Sequence, residues 1–252
     1  MKIIISPAKK MNIDNCSLVP RSVPQFMEKT EQLKELLKSM DYDSLKKLWK
    51  CSDKIASVNK ARLEKMELYN NLTPAILAYE GIQFQYMAPS VFTYDEFNYI
   101  DKSLLILSGF YGILRPFDGV VPYRLEMQAK LSGNGFSSLY EFWGSKLADN
   151  ITAQTDIIVN LASKEYSKVV LDNVSADVNV ISCVFGEIKN GKVIEKATQC
   201  KMARGEMVRY MAENNINNVS DIKSFDRMGF KFSEKYSSEH KYIFIKGDEY
   251  DA

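Results

Sequence analysis

The hydrophobic positions of this chain fall into two patterns. Short, unbroken runs rich in β-branched residues alternate with longer stretches whose apolar residues recur at helical spacing. Three of the short runs end abruptly in small, polar or charged residues. Lys2-Ile3-Ile4-Ile5 gives way to Ser6-Pro7-Ala8-Lys9-Lys10, Leu104-Leu105-Ile106-Leu107 to Ser108-Gly109-Phe110-Tyr111, and Ile157-Ile158-Val159 to Asn160-Leu161-Ala162-Ser163-Lys164. Such runs suit strands buried on both faces of a sheet. In these sheets ligands collect in the crevice beyond the carboxyl ends of the strands. As parallel neighbours, the three strands would deliver Lys9, Ser108, Tyr111, Arg115, Asn160, Ser163 and Lys164 to one cleft, a setting for an anionic ligand.

Helical spacing dominates between the first two runs. After a loop over residues 11–25, Phe26, Leu33, Leu36, Leu37 and Met40 share one face of a helix that begins near Pro24. Residues 44–49 read as a second helix. Ser52 caps a third, with Ile55, Val58, Leu63 and Met66 as its apolar positions, and Pro74 opens a short fourth. Residues 24–80 thus read as a helical insertion or subdomain within a single domain of residues 1–252. Two helices joined by a tight turn at Cys51-Ser52-Asp53 outline a helix-hairpin-helix element, whose turn amides can hold a nucleic-acid phosphate. The usual hairpin glycines are missing, so on pattern alone simple packing is favoured.

Residues 82–103 are aromatic-rich and ambiguous. Residues 137–150 predict a helix with Leu139, Phe142, Trp143 and Leu147 on its apolar side, completing a βαβ unit that supports parallel pairing. Residues 178–188 predict a strand that turns back at Asn190-Gly191, a strong hairpin mark. A helix over 201–211, a short one over 219–225 and closing strands at 230–232 and 242–245 complete the chain. The expected fold is mixed α/β, a central, mostly buried sheet with flanking helices.

Composition narrows the chemistry. Lys+Arg 33 against Asp+Glu 32 leaves a net charge of +1, so anion binding must come from local clustering rather than bulk charge. No apolar run spans a bilayer and the opening residues are too short for a signal-peptide core, so no membrane partner and a cytoplasmic location are expected. Cys16, Cys51, Cys183 and Cys200 are scattered without zinc-site spacing, which reads as four free thiols. The only histidine, His240, sits in a polar turn before the last strand. Neither a metal site nor a cofactor is expected, and chemistry falls to carboxylates, Lys, Tyr or Ser.

The richest stretch follows the second run: Ser108-Gly109-Phe110-Tyr111-Gly112-Ile113-Leu114-Arg115-Pro116-Phe117-Asp118-Gly119, then Pro122-Tyr123-Arg124-Leu125-Glu126-Met127. A stiffened loop carrying two arginines and two acids behind a buried strand is a common functional arrangement. Internal Arg–Asp and Arg–Glu pairing is the plainer alternative. Were the chain an enzyme, Ser108, Tyr111, Asp118 and Glu126 are the catalytic candidates. Asp118 or Glu126 would be the general base and Tyr111 an acid or orienting hydroxyl, beside Lys9 and residues 160–166. Lys201, Arg204 and Arg209 lie within one broad arc of the late helix, where mid-helix Gly205 suggests a close approach.

Together these motifs resemble the peroxide stress protein YaaA family. The resemblance rests on Ile5-Ser6-Pro7-Ala8-Lys9, the 108–127 stretch and Phe142-Trp143-Gly144. It extends through Asn160-Leu161-Ala162-Ser163-Lys164-Glu165-Tyr166, Lys201-Met202-Ala203-Arg204-Gly205 and Phe230-Lys231-Phe232, in family order from Met1 to about Ile245. It implies an α/β fold with a helix-hairpin-helix-like part and a positively charged cleft. It also implies binding of duplex or branched DNA, and a role in limiting peroxide- and iron-linked damage. Lys9, Arg115, Arg124, Asn160, Ser163, Lys164, Lys201, Arg204 and Arg209 are the expected contacts to nucleic acid or another anion, with little sequence preference. An enzyme acting on a nucleotide or nucleobase in the same cleft, or a regulatory binder of a small phosphorylated metabolite, stays open.

Overall fold

A computed structural model of the chain describes residues 1–14, 18–133 and 135–247; Cys16 lies outside them. The three apolar runs form neighbouring strands. Lys2–Ile5 lies between Leu104–Ser108 and Ile157–Asn160 and is parallel to both, with Ile4 opposite Leu105 on one side and Asn160 on the other. Its three isoleucines are fully buried. The sheet continues through Asn179–Lys189 to Lys241–Lys246, again in parallel. Antiparallel strands close both edges, Gly112–Leu114 beside Leu104–Ser108 and Phe230–Phe232 beside Lys241–Lys246. The parallel strands therefore end along one edge. At the Asn-Gly turn both residues have positive φ (52° and 70°), and the hairpin strand Lys192–Ile194 follows as its turn chemistry requires.

Helices Met27–Lys38, Tyr42–Trp49 and Asp53–Glu64 form where the spacing predicts them, as does the single turn Ala75–Ala78 behind Pro74. The inward face of the third differs from expectation. Ile55 and Val58 are exposed, while Ala56, Asn59 and Leu63 are buried. The short turn from Tyr42–Trp49 brings the two helices close, so small Ala56 occupies the contact, and the Asn59 amide is satisfied by the Ile55 carbonyl at 2.8 Å. The ambiguous segment resolves into helices Ile82–Met87 and Tyr94–Ser103. The second is opened by a Thr93–Glu96 capping box that the surrounding aromatics obscure.

The single helix expected over 137–150 is two, Leu139–Trp143 and Lys146–Thr152, because Gly144 takes φ 52° and caps the first. All four of its predicted apolar residues are buried. The late helix is longer than predicted, Ala197–Glu213. It packs on Ile82–Met87 at Gly205, where a Cβ atom would stand 2.1 Å from the Gln83 carbonyl oxygen. Glycine there is a packing requirement. A continuous core joins the strands to Leu33, Leu37, Leu45 and Trp49 of the early helices. Among the described residues, no helix is long and apolar enough to cross a membrane.

Candidate functional site

The tails of the parallel strands are tied together at their carboxyl edge. The Ser6 hydroxyl accepts the Ser163 N–H at 2.8 Å and donates to the Ser163 hydroxyl at 3.2 Å. Asn160 turns its side chain back, accepting the Ala162 N–H at 3.0 Å and donating to Ser182 Oγ at 3.2 Å. Residues 6–10 leave the first strand at this edge and carry Lys9 to Glu126.

On one side of residues 6–10 stands a charged cluster. Lys9 Nζ lies 3.4 Å and Arg124 Nη2 3.1 Å from the same oxygen, Glu126 Oε1. The Arg124 and Glu126 side chains are each only 12% exposed, whereas that of Lys9 is 64% exposed. Glu165 Oε1 accepts the Gln128 N–H at 3.3 Å. Burial raises the pKa of Glu165, and the nearby charge of Glu126 adds to the rise. The Gln128 N–H and the ammonium groups of Lys9 and Lys50 act against it. Tyr166 is pushed up by burial, with Tyr123, Glu165 and Glu126 adding to the effect.

The helical hairpin borders this cluster. Arg124 Nη2 reaches the Trp49 carbonyl at 3.5 Å, and the next residue, Lys50, takes a left-handed conformation (φ 46°) in the turn. Lys46 and Asp53 pair across the turn at 2.7 Å, and the Tyr42 hydroxyl donates to the Asp53 carbonyl at 3.2 Å. Ser52, at the N-cap of Asp53–Glu64, makes no side-chain capping bond.

On the other side, Ala8 abuts Gly81, where a Cβ atom would stand 2.9 Å from that of Ala8. Gly81 is the N-cap of Ile82–Met87, which carries Gln83 and meets the late helix beside Arg204. Arg204 Nη2 lies 3.9 Å from Glu195 Oε2, and its side chain is 15% exposed. Burial pushes the Cys183 thiol up to about 12 and raises that of Cys200 as well, and the Arg204 charge opposes both shifts. Neither thiol is activated.

Among the described residues, the buried side-chain atoms without a hydrogen-bond partner are Gln83 Nε2, Arg124 Nε, Glu126 Oε1, Arg204 Nε and Trp49 Nε1. Buried polar groups of native proteins are normally paired. Four of these five belong to residues on the two sides of residues 6–10, and the fifth to the residue whose carbonyl meets Arg124. Among the described residues, no group of three or more His, Cys, Asp or Glu is placed to hold a metal.

Lys9, Arg124, Glu126, Asn160, Ser163 and Arg204 therefore stand at or beside the strand tails. Lys164 follows Ser163 and is exposed, as is Lys201 near the start of the late helix. The other candidates lie elsewhere. Ser108 is fully buried, and its hydroxyl accepts the N–H groups of Phe110 (3.1 Å) and Tyr111 (2.9 Å). Its proton is left for the Tyr123 hydroxyl at 2.6 Å, which in turn meets Tyr79 at 2.8 Å. The Tyr111 hydroxyl is enclosed and accepts the Val121 N–H at 3.2 Å. These hydroxyls are buried and spent on bonds within the loop and to Tyr79.

Arg115 is not brought to Lys9. The antiparallel turn into Gly112–Leu114 carries it back along the sheet toward Lys2. Burial lowers the pKa of Lys2 against the pull of Asp101, and the Arg115 charge adds to the lowering. Arg115 clasps the fully buried Asp118 at 2.9 Å. Arg209 is also displaced, bonding Glu213 at 2.7 Å in a network with Arg227. Five residues beyond Arg204 on a helix rising about 1.5 Å per residue, Arg209 stands about 7.5 Å further along the axis. Gln83 and Lys50 were not evident from the sequence. Their traces there are a glutamine in an apolar turn behind Gly81, and a lysine where a hairpin would place glycine.

The fold and this edge together define an α/β protein with a charged, partly unsatisfied cluster beyond the carboxyl edge of a parallel sheet. The chain belongs to the peroxide stress protein YaaA family, which it matches over residues 1–236. It is 53% identical over 249 residues to a UPF0246 protein of Lachnoclostridium phytofermentans, covering 98% of this chain and 97% of that one. It is 52% identical over 246 residues to the UPF0246 protein DSY0297 of Desulfitobacterium hafniense, covering 98% of each. Family membership gives the chain a role in peroxide stress.

Proposed function

We propose that this peroxide stress protein acts by binding duplex or branched DNA, with the helical hairpin and the mouth of the crevice gripping the phosphate backbone. The observation that carries this reading is the join between the two: Arg124 meets the Trp49 carbonyl, and the charges of Lys9 and Lys50 both act on Glu165. The uncapped N-terminus of Asp53–Glu64 adds backbone N–H groups and the positive end of a helix dipole. Lys9, Lys50 and Lys54 are exposed along this border and available to phosphates. With a net charge of +1 and no element suited to reading base edges, affinity is modest and sequence preference small. DNA shielded from peroxide chemistry would account for the stress role.

The test is fluorescence anisotropy with a duplex and a four-way junction at several salt concentrations. Each phosphate-contacting lysine contributes about 0.9 to the logarithmic salt slope. Lys9→Glu and Lys50→Glu should each weaken binding and flatten that slope. Salt-independent binding, or binding indifferent to both changes, would refute the reading.

A further inference from the structure

We infer that a groove on the outward face of the helix Asp53–Glu64 binds a medium-chain fatty-acid anion, an apolar tail with a carboxylate head. Helical spacing assigns Ile55 and Val58 to the core, yet both stay exposed in the folded chain while Ala56 and Leu63 are buried. Val58 does not stand on a bare surface. It lines a cavity of about 460 Å³ together with Ile13, Ala61, Met66, Val121 and Pro122. Small-molecule sites occupy about 300–1,000 Å³ and are lined mainly by apolar side chains with a few polar groups. Met66 and Val121 supply buried lining, whereas Ile13 is 53% and Val58 49% exposed. Two bulky apolar side chains left half in water beside an open cavity gain cover from an apolar ligand.

Polarity along the helix orients that ligand. Val58, Ala61, Arg62 and Lys65 fall three, four and seven residues apart and share one face. The face is apolar in mid-helix and basic at the last turn. A cation there ordinarily answers the helix dipole alone. Here Arg62 and Lys65 both line the cavity beside its apolar residues. Both are exposed, and among the described residues neither is paired with a carboxylate, whereas Lys60 pairs with Glu64 at 3.4 Å. The acid in the lining, Glu67, accepts Asn70 Nδ2 at 2.9 Å.

A carboxylate held by Arg62 and Lys65, with its chain laid over Val58 and Met66, satisfies both halves of the groove. A bare phosphate would leave the apolar lining wet, and a hydrocarbon would leave the cations unused. The DNA reading rests on Lys9, Lys50 and Lys54, so either can fail alone.

The experiment is isothermal calorimetry of the full chain with hexanoate, octanoate and decanoate below their micelle concentrations, and with octanol and octylammonium as controls. Decanoate should bind at one saturable site, each added CH₂ along the series tightening binding about two- to fourfold. Octanol and octylammonium should bind at least fivefold more weakly than octanoate. Val58→Glu changes an exposed helix position, so the melting temperature should stay within about 2 °C of wild type while decanoate affinity falls at least tenfold. Changing Arg62→Gln and Lys65→Gln together should abolish the preference for octanoate over octanol.

Four results would overturn the inference. They are no saturable binding of decanoate, affinity independent of chain length, octylammonium bound as tightly as octanoate, and a folded Val58→Glu protein that keeps its affinity for decanoate. Should Val58→Glu fail to fold, the double change at Arg62 and Lys65 decides: an unaltered preference for octanoate refutes the site.

Discussion

Two arginine–carboxylate pairs lie within twelve residues of one loop and have opposite characters. Asp118 is buried and saturated. It accepts from the Ser22 hydroxyl at 2.6 Å, the Arg115 N–H at 2.8 Å, and Arg115 Nε and Nη2 at 3.1 and 2.9 Å. The Arg115 guanidinium also reaches the Val23 carbonyl, stapling residues 22 and 23 to the loop. Glu126 is nearly as buried, yet two cations approach one of its oxygens without forming a directed bond, and Arg124 Nε has no partner among the described residues. A complete clasp holds a fold. An incomplete one leaves polar atoms idle beside the strand ends.

The comparison breaks most sharply at Asp118. Asp118→Ala strands the Ser22 hydroxyl and the Arg115 N–H and should cost about 2–4 kcal/mol. In a chain of this length that lowers the melting temperature by roughly 5–15 °C. The remaining folded protein should bind DNA as before. A shift of a degree or two would show that the clasp holds nothing.

Glu126→Gln should behave in the opposite way. The amide keeps the shape and loses a charge that makes no directed bond, so the stability cost should stay near 1 kcal/mol. Its effect falls on function instead. Cells carrying it in place of the wild-type protein should survive peroxide less well, although the purified variant melts close to wild type. A variant that melts far below wild type would place Glu126 in the same class as Asp118.

Lys50 extends the contrast to the hairpin. A non-glycine residue in the left-handed region costs about 1–2 kcal/mol, so Lys50→Gly should raise stability by about 1 kcal/mol. The same change should remove about 0.9 from the salt slope of DNA binding. Stability gained as binding is lost would mark a strained residue retained for its charge. If DNA binding is untouched, the lysine serves only the turn.

The sheet was legible because strands buried on both faces are written as unbroken apolar runs, and their abrupt ends mark the carboxyl edge of the sheet. What periodicity cannot show is where an antiparallel return sends a side chain. Arg115 and Arg124 look equivalent in the sequence, nine residues apart, but the strand Gly112–Leu114 folds Arg115 back toward Lys2 while the loop runs on to place Arg124 beside Lys9. Ser108 misled for a related reason. A serine at a strand end can face the crevice or turn inward to gather amide N–H groups, and the alternation is decided by the turn at Gly109, whose Cβ position is filled by the Leu125 carbonyl. Gln83 became legible only through Gly205, since the packing of two helices brings it beside Arg204.

Glu165 offers the smallest effect and the most direct reading of the crevice's electrostatics. Burial and the Glu126 charge raise its pKa in the folded protein above the ordinary glutamate value of 4.5. Between that value and the raised one, the folded state keeps a proton that the unfolded chain has released. Stability therefore falls as pH rises through this window, and levels off above it once both states are ionised. Glu165→Gln removes the titration, so the variant's urea midpoint should vary less with pH across the window, and its advantage over wild type should grow toward neutrality. Because Glu165 is partly exposed, solvent screening keeps the difference below those of the preceding variants. Adding Glu126→Gln supplies the decisive comparison. If the Glu126 charge contributes to the rise, that substitution alone should narrow the wild-type pH dependence, and the double variant should match Glu165→Gln. A pH profile unchanged by Glu126→Gln would mean that the two carboxylates do not share one crevice.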